Sequence, residues 1–268
     1  MCVYTRARGE TQRVMQSKKR IILGLDVSTS TIGISIVWDD GSEYGKIVEL
    51  THVAPKVSSK IEGIEKLFIK KQIFNDEFLS KWKDCGITDV VIEEPLVRSN
   101  NVNVCAQLLR FNSMIADSVY TTLGIVPKFI SSYHARLFAF PDLYNVRKYK
   151  RDGSLYPTEK IVSALKRNNY ALFGAYQWDI DKKHILQGKV AKMFPEIEWL
   201  YNKKGELKQE NYDSVDAYVC VLGLLNSERH GGNNDIPMKS ENITVTEKSI
   251  EYDVSFWDKT EHRTIFLG

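Results

Sequence analysis

Cysteine is scarce and apolar runs are short in this sequence, and each shortage closes off a class of protein. The four cysteines, Cys2, Cys85, Cys105 and Cys220, contain no CxxC pair. That argues against a zinc ribbon and gives no support to a disulfide framework, so a reducing, intracellular compartment is expected. The five histidines lack metal-ligand spacing, and His134 and His184 read as surface or core side chains. No apolar stretch approaches the roughly 20 residues of a membrane span, so no membrane partner is expected. The first 20 residues carry six basic residues against one acid and no apolar core, so they read as a basic arm (1–19) rather than a secretory signal.

A chain of 268 residues at 43% hydrophobic composition can bury a sizeable core, as one large domain or a core domain with an insert. The net charge is only +3, but it is unevenly spread. Residues 144–170 hold seven Lys/Arg against two acids and also carry Tyr144, Tyr149, Tyr156 and Tyr170. Cations interleaved with aromatics suit a phosphate backbone and stackable bases; a solvated basic loop and helix fits the same composition.

Periodicity gives a coarse order of elements. Residues 20–27 read as a fully buried strand. Residues 31–38 alternate, with Ile32, Ile34, Ile36 and Trp38 on one face, as a half-buried strand does. Asp39-Asp40-Gly41 signals a turn, and 45–51 makes a third strand of an antiparallel meander. A helix is expected from about Ser58 to Lys83, with a break near Asn75. Next come a strand over 88–93, a helix over 103–122 and a strand over 125–130. Beyond them lie an irregular basic stretch with a short helix (158–168), an amphipathic helix (181–193), a helix from about Asp213 to Asn226, and a tail that could hold a hairpin. A meander succeeded by strand–helix–strand units predicts an α/β fold: a mixed sheet with helices on its faces.

Four acids stand out in this frame. Asp26 closes the run Ile21-Ile22-Leu23-Gly24-Leu25, Glu93 closes Val90-Val91-Ile92, and Asp213 and Asp216 open an apolar helix three residues apart. Each has a structural alternative. Asp26 can begin an Asp/Ser/Thr turn, Glu93 with Glu94 can be a solvated pair, and Asp213 can cap a helix with Asp216 in its first turn. Taken together, adjacent strand ends about 4.8 Å apart and a helix presenting i and i+3 on one side can bring all four to one sheet edge. Carboxylates gathered so closely repel unless cations lie between them, and an all-oxygen set favours Mg²⁺, with Mn²⁺ as its substitute. Two such ions about 3.5–4 Å apart can activate water and stabilise the leaving oxygen of a phosphodiester.

These motifs resemble those of RuvC-type Holliday-junction resolvases, within the RNase H-like (retroviral integrase) superfamily. The resemblance rests on Leu23-Gly24-Leu25-Asp26, Val91-Ile92-Glu93 and the Asp213-to-Val221 helix, over residues 20–136 and 182–227. The stretch from Lys182 to Pro195 is similar to the basic helix before the last acidic motif. Pro127 to Arg136 is similar to the fifth strand and the segment immediately after it. The family implies an RNase H-like fold with a mixed five-stranded sheet, a homodimer, and paired nicks in a four-way DNA junction. It further implies two Mg²⁺ held by Asp26, Glu93, Asp213 and Asp216 as catalytic residues, with the basic helix (Lys182, Lys183, Lys189, Lys192) near the DNA. Arg147, Lys148, Lys150 and Arg151, in an apparent insertion over 141–181, are further DNA-contact candidates. The implied organisation is a nuclease domain over 20–228, with residues 229–268 as a tail.

Val27-Ser28-Thr29 comes after the first aspartate where bacterial members place Pro-Gly, which points towards viral, phage or organellar relatives. Pro95-Leu96-Val97-Arg98 stands where some members carry a junction-opening aromatic. Three readings compete: a nuclease for flaps, other branched DNA or RNA; a non-catalytic nucleic-acid-binding module; and an actin-like or sugar-kinase-like ATPase. The last shares the strand–Asp–Ser/Thr hairpin opening, but needs further Gly-rich phosphate loops, and Gly231-Gly232 is the only later glycine pair.

Overall fold

The structure, a computed structural model, describes residues 20–95, 101–176, 180–208, 210–231, 238–257 and 259–268. The basic arm 1–19 and residues 96–98 of the stretch after Glu93 lie outside the described residues. The chain divides into two compact units, residues 1–131 with 208–221, and residues 132–207 with 222–268.

The first unit is built on β1 (Arg20–Val27), β2 (Ile32–Asp39) and β3 (Lys46–Val53), an antiparallel meander with a bulge between Ile36 and Val37. Helix α1 (Gly63–Phe74) widens into a π-helical turn, Asn75–Leu79, and ends in the short α2 (Ser80–Trp82). The break expected near Asn75 is this wide turn, and the helix begins at Gly63 rather than near Ser58. Strand β4 (Asp89–Glu93) runs parallel to β1, and β5 (Lys128–Ile130) runs parallel to β4. Helix α3 (Val102–Leu123) connects β4 to β5. Asn101 Oδ1 caps it by accepting from the N–H groups of Asn103 and Val104, and Gly124 ends it at φ +71°. The sheet order β3-β2-β1-β4-β5 is the mixed, helix-flanked, RNase H-like sheet that the resemblance implies.

Strand alternation sends Leu23, Leu25, Ile34, Ile36 and Ile92 to one face, where they pack with Phe74, Phe78, Phe111 and Ile115. Burying each such side chain contributes about 1.5–3 kcal/mol. Strand β2 departs from expectation: it is buried on both faces, Ser35 and Val37 included. The reason is α7 (Glu210–Arg229), whose first half belongs to this unit. It lies so close to the second face that a Cβ on Gly24 would meet Ala217 O at 2.3 Å.

The second unit contains α4 (Ser132–Ala139), a small antiparallel pair formed by β6 (Tyr144–Val146) and β7 (Tyr170–Leu172), α5 (Thr158–Lys166) and α6 (Lys182–Met193). Strands β8 (Met238–Val245), β9 (Ser249–Phe256) and β10 (Lys259–Phe266) form a three-stranded antiparallel sheet, where the sequence suggests a hairpin. Tyr144 and Tyr170 are core residues here, packed with Leu137, Ile161 and Tyr252. These two rings therefore do not present a face for stacking. Tyr170 Oη and Ser240 Oγ share a hydrogen bond of 2.7 Å, which satisfies the buried hydroxyl.

Candidate metal centre

The parallel pairing of β1 with β4 sets the site. Leu25 lies opposite Ile92, so Asp26 and Glu93 are the next residues of adjacent strands and share the face turned away from the phenylalanine core. That face is covered by α7. Carboxylate oxygens of Asp26, Glu93 and Asp216 all lie within 4.8 Å of one another. Asp26 and Glu93 are half-buried, and Asp216 is 2% exposed.

Asp213 is not in this group, although it is one helical turn away on α7. The helix begins at Glu210, so Asp213 lies inside it and does not cap it. The β1–β2 turn is closed by Ser28, whose Oγ donates to Thr31 O at 2.9 Å and accepts from Thr31 N–H at 3.0 Å. Asp26 is thus the last polar residue of a strand rather than the residue that closes the turn.

Several supporting groups carry no mark in the sequence. Gly33 touches α7 directly: a Cβ there would sit 2.0 Å from Asp213 O. Glycine at positions 24 and 33 is what lets a helix carrying aspartates lie this low on the sheet, a signal that alternation of apolar residues hides. Asn112, 3% exposed on α3, donates from Nδ2 to Glu93 O at 3.3 Å and steadies the end of β4. Lys70 of α1 donates to Thr29 O in the β1–β2 turn, and burial, then Lys66, pulls its ammonium below the usual lysine range. At the opposite end of the same strands, Arg20 makes a two-pronged contact with Asp89, 2.9 Å on each side. That guanidinium is the main reason the Asp89 carboxyl is held down at about 2, with Thr88 and Lys128 adding to it against the cost of burial.

Three carboxylates at this spacing repel by about 3 kcal/mol per pair at an effective dielectric near 20. Seating one of them in the interior adds a desolvation cost. The donors are all hard oxygens, and among the described residues no histidine or cysteine joins them. This set fits Mg²⁺ or Mn²⁺, ions that keep waters and take few carboxylates.

The basic candidates belong to the second unit. Lys182, Lys183, Lys189 and Lys192 lie on α6, which buries Leu186, Gln187 and Val190. Lys189 is committed to Asp142 at 2.6 Å and lies over the Phe140 ring, so it is a structural cation. Arg147 lies over the Tyr176 ring at 4.8 Å. Half-buried Lys148 is pushed down by burial and then by Arg263, while Lys150 opens a tight turn closed by Gly153 and Arg151 lies within it.

No protein-family model matches the chain, and no curated protein matches it in sequence. Its fold is similar to that of RuvC from T. thermophilus, solved in complex with a Holliday-junction substrate. That likeness has 9% identity, covers 79% of this chain and 96% of that one, and has a TM-score of 0.43. The yeast mitochondrial Holliday-junction resolvase gives 10% identity, 79% and 80% coverage, and a TM-score of 0.43. A Ppx/GppA family member from Aquifex aeolicus gives 9% identity, 93% and 52% coverage, and a TM-score of 0.32. All three likenesses concern the fold alone.

Proposed function

We propose that the chain is a metal-dependent endonuclease of the RNase H-like class, acting on branched DNA and most specifically on four-way junctions. The observation that carries this reading is the meeting of Asp26, Glu93 and Asp216, from two adjacent strands and a helix, within 4.8 Å. Asp26, Glu93 and Asp216 would hold the divalent ions, and Asp213 would complete the set from the preceding turn of α7. When bound, Mg²⁺ supplies charge neutralisation at the phosphodiester and activation of water for in-line attack, with Mn²⁺ as its substitute. The chain's own contribution is to fix the oxygens in advance. Asp26 and Glu93 are held by strand register, and Asp216 by a helix pressed onto Gly24 and Gly33. Hydrolysis would leave a 5′-phosphate and a 3′-hydroxyl.

The family resemblance supports a homodimer that nicks two strands, with Lys182, Lys183 and Lys192 of α6 as DNA contacts. The basic, tyrosine-rich composition of the apparent insertion supports the 147–151 segment as a further contact with DNA or with the second copy. An intracellular, reducing compartment fits Cys85, Cys105 and Cys220, none of which forms a disulfide among the described residues. No helix among the described residues is long and apolar enough to cross a membrane. The test is a panel of labelled four-way junction, flap, duplex and RNA–DNA hybrid, incubated with Mg²⁺ or EDTA, with Asp26→Asn alongside. Symmetric paired nicks in the junction, lost in EDTA and in Asp26→Asn, are expected, with DNA binding retained. Cleavage of the hybrid alone would move the protein to another branch of the class, and cleavage by Asp26→Asn would refute the site.

A further inference from the structure

Two small pockets of the second unit are lined by cations and tyrosines. The first, about 40 Å³, is bounded by Tyr133 and Arg136 of α4, Tyr144 of β6, Tyr176 and Lys182. The second, about 170 Å³, is bounded by Arg147, Tyr156, Lys160, Arg167 and Asn169. Two contacts join them. Arg147, which lines the second, lies over the ring of Tyr176, which lines the first, and the Tyr156 and Tyr176 hydroxyls share a hydrogen bond. Among the described residues, no carboxylate lines either pocket. The acid closest in effect, Asp152, is occupied by Ser154, whose Oγ and N–H lie 2.6 and 2.9 Å from its Oδ1.

A half-buried cation without an acid is costly, and a bound anion removes that cost. Lys182 is the clearest case. Burial first, then Arg136 and Arg147, push its ammonium down to about 8. Among the described residues, neither Lys182 nor Arg147 forms an ion pair with a carboxylate. The cation–π contact holds the Arg147 guanidinium in place between the two pockets. Both cavities are small and present cationic side chains and tyrosines with no carboxylate among the described residues, a lining that suits phosphoryl oxygens.

We infer that these paired pockets bind neighbouring phosphates of one nucleic-acid strand, with Arg136 and Lys182 serving one phosphate, Lys160 and Arg167 the next, and Arg147 between them. This rests on the nucleic-acid reading above but not on the carboxylates. It adds Arg136, Lys160 and Arg167, none of them singled out individually as a DNA contact by the sequence, to Arg147 and Lys182.

The test uses the full chain in EDTA, where no strand is cut, with a fluorescein-labelled single strand and a labelled junction. Anisotropy is measured as salt rises from about 50 to 200 mM. Each neutralised phosphate contact should lower the slope of log affinity against log salt by about 0.7 for a single strand. Lys182→Gln with Arg167→Gln should therefore lower it by about 1.4, with Lys182→Arg restoring its share. Lys81→Gln, an exposed lysine of the first unit, should leave it unchanged. Circular dichroism and thermal melting verify that each variant is folded. An unchanged slope in the folded double variant overturns the inference, as does a chain that binds no nucleic acid. A calorimetric arm with inorganic phosphate distinguishes the source: phosphate binding lost in the double variant, with strand binding intact, would make the pockets a free-anion site and overturn the strand assignment. A protein that passes this test yet cuts nothing in Mg²⁺ sinks the nuclease reading alone. A protein that cuts but keeps its slope sinks this inference alone.

Discussion

Replacing Gly33 by alanine should damage the carboxylate site without touching a carboxylate. The added Cβ would lie 2.0 Å from Asp213 O and 2.1 Å from its carbonyl carbon, where real Cβ contacts stay above 3.0 Å. The obstacle is helix backbone, so β2 and α7 must separate by about 1 Å (3.0 Å less 2.0 Å). The same helix also meets the sheet further along, where Ala217 O lies over Gly24, so the clash lifts most the turn that carries Asp213 and tilts the neighbouring Asp216 by less. Overpacking of this kind costs about 1–3 kcal/mol, and a displacement near 1 Å at a reacting centre costs on the order of 10²-fold in rate. Urea denaturation and Mn²⁺ titration should both register the change, with lower stability and weaker metal binding. Gly188→Ala is the matched control: nothing lies within 4 Å of the added methyl, and α6 should gain about 0.5–1 kcal/mol. A Gly33→Ala protein with unchanged stability and metal affinity would refute the claim that close helix–sheet approach builds the site.

Three other outcomes are expected. Asn112→Ala removes the donor to Glu93 O and should cost about 1 kcal/mol in urea denaturation, with a modest loss of metal affinity because the end of β4 loosens. Asp216→Asn should impair Mn²⁺ binding more than Asp213→Asn, since only Asp216 lies in the three-carboxylate group; equal effects in calorimetry would contradict that ranking. The Asp89 carboxyl is held at about 2, below its unfolded value near 3.9, so its ion pair stabilises the fold fully above about pH 4. That contribution is lost as pH falls from about 4 to 2, and Asp89→Asn should abolish this part of the acid dependence. Its partly exposed position limits the effect to about 1 kcal/mol.

The first unit was largely legible because its signals are local. Alternating isoleucines in β2 and the apolar runs ending in Asp26 and Glu93 fix strand positions, and strand register then brings the two acids together. Asp216 was legible through its spacing from the apolar residues of α7. Asp213 was misplaced as a helix start because capping residues and early-helix residues share a composition, and the three residues before it carry no competing signal. The burial of Ser35 and Val37 was missed because a polar residue in a strand reads as solvent-facing until a helix is known to cover it. The second unit was harder to read. Tyr144 and Tyr170 looked like a basic, aromatic surface, yet they pack against Tyr252 and Ile161, partners about a hundred residues away or on the opposite side of a loop. Three-residue strands such as β6 and β7 are too short for periodicity to register.

The metal centre stands or falls on whether Asp26, Glu93 and Asp216 hold a divalent cation between them. Electron paramagnetic resonance of added Mn²⁺ reads this without any substrate. The wild-type chain should quench the free-ion signal saturably, Mg²⁺ should compete, and Asp26→Asn and Asp216→Asn should each abolish or sharply weaken the effect. An unquenched signal with the folded wild-type chain, or equal quenching by the folded Asp26→Asn and Asp216→Asn variants, would contradict it.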